Sequence, residues 1–356
     1  MPGYQVVGTG HGSECGFGER TRGGRSRRVS ARRTDIAATT SHALPRDGAD
    51  ATVEFDFGVA FTSIRSVRMR EPQGERLDIG ALLPDSAGRF WVAGPVSKTL
   101  GIYSQQGRRV RALDSRTTSV RAPVSLTGLH QRWVAVLDGK LPAVVIMDER
   151  GRPLRRFALP ELDQPMRLCN LGDRYMAVMG TGWGRGRGRI LHLYTLDGEY
   201  QESLFDEPHG GRGACVAAAG CSLYVSHGGG ESFSIYDVEA RSILSFPGHA
   251  AARERADGSG RGCQLLDLFA TQCGALLAVH RDAREGSFVY DLYGLDGVTI
   301  AARLHSPERV VGVEGPLFYS VRRRETGLTL RVWKLKSSRG AQADRARNET
   351  SRRSDG

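Results

Sequence analysis

Four short apolar runs follow one another within residues 126 to 159, and turn-forming or charged residues separate each run from the next. The runs are Leu126 to Leu129, Trp133 to Leu137, Ala143 to Met147 and Leu154 to Leu159. Runs this short, rich in Val, Ile and aromatic residues, predict strands of an antiparallel sheet joined by tight hairpins rather than helices. Because one such sheet cannot bury both of its faces alone, the chain has to supply further copies of it.

The third run of this unit recurs as an aliphatic residue followed by a large one. These pairs are Ile102-Tyr103, Ile146-Met147, Leu193-Tyr194, Ile235-Tyr236, Leu292-Tyr293 and Val332-Trp333. The steps between successive pairs are 44, 47, 42, 57 and 40 residues, and a turn glycine stands four positions later in four copies, at Gly107, Gly151, Gly198 and Gly297. A period of roughly 40 to 50 residues with four strands per repeat is typical of propeller blades. The sequence therefore predicts an all-β fold, a six-bladed β-propeller with four-stranded antiparallel blades.

Closure of the ring requires one strand from elsewhere, because the last copy, Val310 to Leu335, has only three apolar runs. An open outer edge and an unsealed gap between the first and last blades would both be costly. Val53 to Phe57 (VEFDF) alternates like a strand, and we predict that it closes the last blade. The following SIRSVRMRE, from Ser63 to Glu71, is also strand-like, so the entry into the first blade stays open.

Composition divides the chain into three parts. Residues 1–50 are rich in Arg, Gly and Ser and are predicted to be a disordered arm, residues 51–336 form the propeller, and residues 337–356 form a disordered polar tail. No run resembles the apolar core of a signal peptide, roughly 7 to 15 residues, or a membrane span of about 18. We expect a soluble monomer without a membrane span, and the compartment stays undetermined.

The net charge of +11 indicates an acidic partner. Only four of the 50 basic residues are Lys, and Arg binds carboxylate and phosphate through a fork that Lys lacks. A protein, an acidic small molecule or a polyanion would suit this charge. Nucleic acid is less favoured, because the aromatic residues fall mainly at strand positions that blades bury rather than on stacking platforms. Arg is also spread through every blade, which a coding bias explains equally well.

The candidate ligand-binding residues lie where the second strand of a blade turns into the third, since these turns share one face of a propeller with the links between blades. They are Asp138, Trp183, Arg185, Arg187, His227, Glu231, His280 and Arg281. His227 and His280 are the sharpest candidates because imidazole binds metals and transfers protons near neutral pH, although a structural role suits each of them as well. The WGRGRGR loop that begins at Trp183 has the glycines and guanidinium groups of an anion-binding segment, or is a long hairpin kept soluble by charge.

Cysteine spacing favours packing over metal binding. The six cysteines form no C-x-x-C pair, and Cys169, Cys215 and Cys263 are predicted on first strands near the central channel, where small side chains fill a narrow centre. Fingerprints of hydrolases, zinc proteases and nucleotide-binding loops are absent. We therefore expect no cofactor, no resident metal and no catalytic residue.

Segments such as VAVLDG followed by VVIMDERGRPLRRF, and LHLYTLDGEYQESLF, resemble the six-bladed propellers of the NHL-repeat and related bacterial type. The resemblance covers residues 53–336 and implies a propeller that binds proteins, glycans, small ligands or RNA, often outside the cytoplasm. Some similar propellers are lactonases or lyases with a metal on the channel axis. At the end of the second strand, where the family has Val-Ala-Asp, only Asp138 matches.

Two functions from different classes follow. The first is a non-enzymatic binding or scaffold module that uses its loop face for a protein or acidic ligand. The second is a metal-assisted hydrolase or lyase, lactonase-like, with His227 and His280 near the propeller axis.

Overall fold

The computed structural model describes residues 55–71, 76–129, 132–182, 187–206, 214–227, 230–248, 264–272, 274–281, 287–325 and 327–336. The predicted arm and tail lie outside these residues. The described chain forms six sheets, each with four antiparallel strands, and one sheet carries an additional parallel strand. The prediction of an all-β, six-bladed propeller is therefore confirmed.

The strands follow the chain from blade one to blade six. Two strands come before blade one, β1 (Phe55–Asp56) and β2 (Phe61–Met69), with a 3-10 turn (Phe57–Val59) between them. Blade one contains β3 (Ala81–Pro84), β4 (Phe90–Gly94), β5 (Thr99–Tyr103) and β6 (Arg109–Ala112). A short helix, α1 (Ser115–Thr118), precedes blade two, which contains β7 (Pro123–Gly128), β8 (Val134–Asp138), β9 (Ala143–Met147) and β10 (Pro153–Ala158). Blade three contains β11 (Leu162–Leu171), β12 (Tyr175–Gly182), β13 (Arg189–Thr195) and β14 (Tyr200–Asp206).

Blade four contains β15 (Val216–Ala219), β16 (Ser222–His227), β17 (Ser232–Asp237) and β18 (Ser242–Pro247). Blade five contains β19 (Gln264–Thr271), β20 (Ala275–Arg281), β21 (Phe288–Gly294) and β22 (Thr299–Ser306). Blade six contains β23 (Arg309–Glu314), β24 (Leu317–Arg324) and β25 (Gly327–Leu335), and β2 is its fourth strand.

The core lies between the blades rather than within any one of them. Each of the six buried hydrophobic clusters combines side chains of two neighbouring blades. The cluster between blades six and one includes Phe90 and Tyr319, whose ring centroids are 6.0 Å apart. The first strand of each blade is innermost, and β23 contacts β3, so the ring is closed.

The strand that closes the last blade is β2, which corrects the prediction of Val53 to Phe57. β2 is antiparallel to β25 from Phe61 opposite Leu335 to Met69 opposite Leu328. Phe55–Asp56 instead pairs parallel with β22 at the outer edge of blade five. The physical reason is length, because β25 has nine residues and needs a partner that satisfies its backbone groups along all of them. The strand-like stretch from Ser63 to Glu71, left open by the sequence, supplies most of that partner.

The repeated turn glycines lie where neighbouring blades are in close contact. A Cβ built on each would lie within 3 Å of a residue at or just after the outermost strand of the preceding blade: Val67 for Gly107, Leu113 for Gly151, Phe157 for Gly198 and Phe246 for Gly297. All four glycines have positive φ. Since Val67 belongs to β2, this strand occupies the place of an outermost blade strand in the repeat as well as in the sheet.

We expect Gly198→Ala to lower the free energy of unfolding by about 2–4 kcal/mol, because strain at φ +90° adds to a clash with Phe157. Gly188→Ala is the matched control, since Gly188 has φ +73° but no atom within 4 Å of the added Cβ. Urea unfolding followed by circular dichroism measures both. Equal losses in the two variants would show that the contact with Phe157 does not matter.

Candidate functional site

Asp138 is fully buried, and its carboxylate accepts hydrogen bonds from neighbouring backbone N–H groups. Oδ2 accepts a hydrogen bond from the Arg121 N–H at 2.8 Å, and Oδ1 accepts from Ala122 at 3.1 Å and Lys140 at 3.0 Å. These bonds join the link that enters blade two to the hairpin between β8 and β9. The side chain that matches the NHL-type pattern therefore fixes two loops of the predicted binding face.

His227 and His280 lie in different interfaces between blades. His227 contacts the Phe205 ring of blade three at 5.6 Å between centroids, and its Nε2 is 2.9 Å from Ser234 Oγ. His280 stands two residues after Ala278 on β20, so both side chains lie on the same face of the strand. Ala278 belongs to the cluster between blades four and five. Burial lowers the pKa of His227, which favours the neutral ring. The two imidazoles thus face opposite sides of blade four and do not form one centre.

His280 stands beside a carboxylate but makes no hydrogen bond among the described residues. Its Nε2 is 3.3 Å from Asp291 Oδ2, without the alignment of a hydrogen bond, and both ring nitrogens are buried. Asp291 Oδ1 accepts from the backbone N–H of Arg303 at 2.9 Å. Arg303 has φ +58° and forms part of a bulge in β22, so Asp291 holds an irregular outer strand in place.

The remaining predicted ligand residues do not converge in the described structure. Arg187, Glu231 and Arg281 are exposed and belong to blades three, four and five. Trp183 and Arg185 lie outside the described residues.

A charged cluster crosses the central channel and was not predicted from the sequence. Asp267 of β19 accepts from Arg167 of β11 at 3.0 Å and lies 4.0 Å from Arg309 of β23. Asp267 is 6% exposed, and the Arg167 guanidinium also covers the Phe269 ring at 5.0 Å. The cluster joins blades three, five and six. β15 of blade four carries one valine and three alanines here, and such small side chains leave room for Arg167 to reach blade five.

Backbone bulges accompany the cluster. The pairing of β11 shifts between Pro165 and Arg167, that of β19 between Leu265 and Asp267, and that of β23 between Val310 and Gly312. A bulge re-aims the side chains that follow it, and bulges are common where a strand lines a site. The sequence shows no sign of these bulges. An assignment by strict alternation along the strand therefore puts the side chains of Arg167 and Asp267 on the wrong face.

Two buried cysteines lie beside this cluster, as expected for inner strands, and Cys263 lies outside the described residues. Cys169 is on β11, and Cys215 directly precedes β15. Burial raises the pKa of Cys169 to about 11 and that of Cys215 to about 12. Both thiols are therefore protonated at neutral pH, which makes them poor nucleophiles and poor metal ligands.

Beside the cluster, the channel contains a cavity of about 120 Å³ that is lined by the inner strands of all six blades. Its lining surface is more polar than apolar, and Arg167 and Thr127 contribute to it. Asn170 also lines it, and Asn170 Oδ1 is buried without a hydrogen-bond partner among the described residues. A cavity of this size and polarity accommodates ordered water.

A groove of about 880 Å³ lies at the ring closure, along the outermost strand β2 and the turn between β5 and β6. Arg65, Arg68 and Arg70 line it together with Gln105 and Gln106. Among the described lining residues the acidic one is Glu71, and it is already bound: its carboxylate accepts from Arg323 at 2.7 Å and from the Leu77 N–H at 3.1 Å. The described lining of the groove therefore carries net positive charge.

The groove wall is built by the closure itself. The Arg70 N–H donates to Gly107 O at 2.8 Å, which fixes the end of β2 against blade one. Sequence reasoning missed this groove because it assigned the closing strand to Val53–Phe57. The signal that could have found it is the spacing of three arginines within the strand-like SIRSVRMRE.

In the described part of the chain, no group of three or more His, Cys, Asp or Glu side chains is placed to hold a metal ion. Those same residues include no helix that is long and apolar enough to cross a membrane.

No model of a known protein family matches this sequence, and no curated protein matches it. Solved structures match its fold. An exported protein of Bacteroides fragilis aligns with a TM-score of 0.58 at 8% identity, over 80% of this chain and 98% of its own. A duf4221 family member of Bacteroides vulgatus aligns with a TM-score of 0.54 at 8% identity, over 78% and 98%.

Virginiamycin B lyase of Staphylococcus aureus aligns with a TM-score of 0.50 at 10% identity, over 78% of this chain and 100% of its own. Identities this low show a shared architecture and carry no activity across, because one fold supports many functions. With its six closed blades, this chain is a six-bladed β-propeller of the kind found in these bacterial proteins.

Proposed function

We propose that this protein is a non-enzymatic binding module and that its groove at the ring closure takes an acidic, extended segment of a partner protein. The observation that carries the proposal is the positive lining of the groove. No described carboxylate forms an ion pair with Arg65 or Arg70, and both arginines are exposed. This position differs from the loop face expected from the sequence, because β2 lies at the rim of the ring.

Two kinds of contact favour an extended acidic segment. The outer edge of β2 is the end of its sheet, so its backbone N–H and C=O groups can pair with an added strand. Guanidinium groups on the same strand bind carboxylates through charge-assisted hydrogen bonds. Because the arginines are exposed, each pair contributes only about 0.2–1 kcal/mol and weakens as salt increases.

The experiment measures the fluorescence anisotropy of a labelled peptide of about ten alternating Glu and Thr residues, a length that spans an outer strand. We expect Arg65→Gln with Arg70→Gln to weaken binding about tenfold, which corresponds to about 1.4 kcal/mol. Arg152→Gln with Arg156→Gln removes the same charge from an exposed part of blade two and should leave binding unchanged.

An equal loss in both double variants would show that net charge alone attracts the peptide. Affinity that does not change between low salt and about 0.5 M NaCl would remove the electrostatic basis of the proposal. Tighter binding of a single-stranded oligonucleotide of equal charge would make the groove a nucleic-acid site instead.

The alternative of a metal-assisted hydrolase or lyase needs His227 and His280 to share one centre. The fold does not support this alternative, because these side chains lie in different interfaces between blades.

A further inference from the structure

The outer edge of blade four differs from the other open edges of the propeller. β18 reads SILSFP and has no charged residue, and its Ile243 and Leu244 are 57% and 67% exposed. The outermost strands of blades one, two, three and six all carry charged residues, and β1 covers the edge of blade five. Like charges on an edge strand oppose its pairing with the same edge of a second copy. Within the described chain, β18 is the open edge that lacks this protection.

Comparison with blade two shows where the charges are missing. Phe157 of β10 and Phe246 of β18 each lie against the turn glycine of the next blade, so the two residues are equivalent. Counting back from them, Leu244 and Ser245 occupy the positions of Arg155 and Arg156. Blade four therefore has a neutral surface where blade two has two guanidinium groups, on the same backbone framework.

The backbone of β18 shows which groups are available for pairing. The Gly248 N–H donates to Glu231 O at 2.8 Å, so it points inward to β17. Because backbone groups alternate along an antiparallel strand, Leu244 and Phe246 also bond inward, while Ile243 and Ser245 present their N–H and C=O groups outward. Pro247 is the next outward position and has no N–H, which ends the free edge.

We propose that two copies of this chain associate through antiparallel pairing of β18 with β18, around a two-fold axis at Leu244. Ile243 then exchanges two hydrogen bonds with the partner's Ser245, and Ser245 exchanges two with the partner's Ile243. The two Leu244 side chains face each other at the non-hydrogen-bonded position, where strands approach most closely. The paired sheets of blade four form one continuous sheet of eight strands.

The absence of charge on β18 favours a second copy of this chain as the partner at this edge. Self-pairing of β18 brings only Ser, Ile and Leu side chains together, whereas self-pairing at blade two would oppose Arg155 and Arg156 to their own copies. An acidic partner gains nothing from this neutral edge.

Four hydrogen bonds and a small apolar contact predict a weak dimer, with a Kd on the order of 10–100 µM. A net charge of +11 on each copy makes association stronger at higher salt, which is opposite to acidic-segment binding at the groove.

The test is sedimentation velocity of the full chain over about 1 to 500 µM, a range that includes the dissociation constant of such a small interface. We expect the average mass to rise toward the dimer, and Leu244→Arg to raise the Kd at least tenfold. Blade two carries Arg at this position, so the variant should keep its circular dichroism spectrum. Leu154→Arg on β10 is the control, because Leu154 is 51% exposed but lies on an edge that is already charged.

A charge-swap experiment tests the register. L244R and L244E should each be monomeric, and an equimolar mixture should form a dimer, because only a two-fold axis at Leu244 places the opposite charges together. A monomer at every concentration overturns the proposal, as does an L244R variant that associates like the original chain. A mixture that does not recover the dimer mass also overturns it. These results leave peptide binding at the groove untouched, so the two proposals can fail separately.

Discussion

Replacing Asp267 with Ala is expected to lower the free energy of unfolding by about 3–5 kcal/mol, because it leaves two guanidinium groups in the channel without their carboxylate. The Asp267 side chain is 8% exposed and that of Arg167 is 18% exposed, so water screens the charges poorly. The loss should appear in urea unfolding followed by circular dichroism. It tests whether the cluster across blades three, five and six stabilises the ring.

Asp197→Ala is the matched control for this prediction. Asp197 also pairs with an arginine, Arg155, but its side chain is 75% exposed, so the change should cost less than about 1 kcal/mol. Similar losses in the two variants would contradict the buried character of the channel cluster.

Replacing Arg167 with Met and Asp267 with Leu together should recover part of the stability that Asp267→Ala loses. When both partners become apolar, the Arg167–Asp267 pair no longer leaves a buried charge without its partner.

The second large effect is expected at the ring closure, where Phe61→Ala should lower the free energy of unfolding by about 3–5 kcal/mol. Phe61 is 1% exposed, its ring stacks on Phe57 at 4.2 Å, and it meets Phe318 of blade six edge-on at 5.2 Å. Truncation removes these aromatic contacts and leaves a cavity at the strand that holds the first and last blades together.

Ile64→Ala on the same strand is the control, because Ile64 is 53% exposed and its truncation should change stability by less than about 0.5 kcal/mol. Thermal unfolding of both variants separates a core contact from a general intolerance of substitutions in β2. A small effect of Phe61→Ala would show that the closing strand contributes little to the stability of the ring.

The positions that repeat were predictable because each blade solves the same packing problem. The aliphatic and large pairs fall on the third strands, and the turn glycines fall where neighbouring blades touch. The closing strand was misassigned because VEFDF alternates more regularly than FTSIRSVRM. Only pairing along the full length of β25 shows that the longer, more polar segment is the partner.

The candidate site was harder to predict because it depends on contacts between distant residues. Arg167 and Asp267 are separated by 100 positions, and bulges in their strands change the direction of their side chains. His227 and His280 end equivalent strands in the sequence, yet face different neighbours in the ring. Asp138 carries the one match to the NHL-type pattern, and its carboxylate binds backbone N–H groups.

The sequence alone determined the number of blades, because apolar periodicity is a local property that every copy repeats. The tertiary structure decided which segment closes the ring, which charges meet in the channel and which outer edge stays neutral. Those features depend on how strands that are distant in the sequence align, and that alignment is set by backbone pairing and packing between blades rather than by any local pattern of residues.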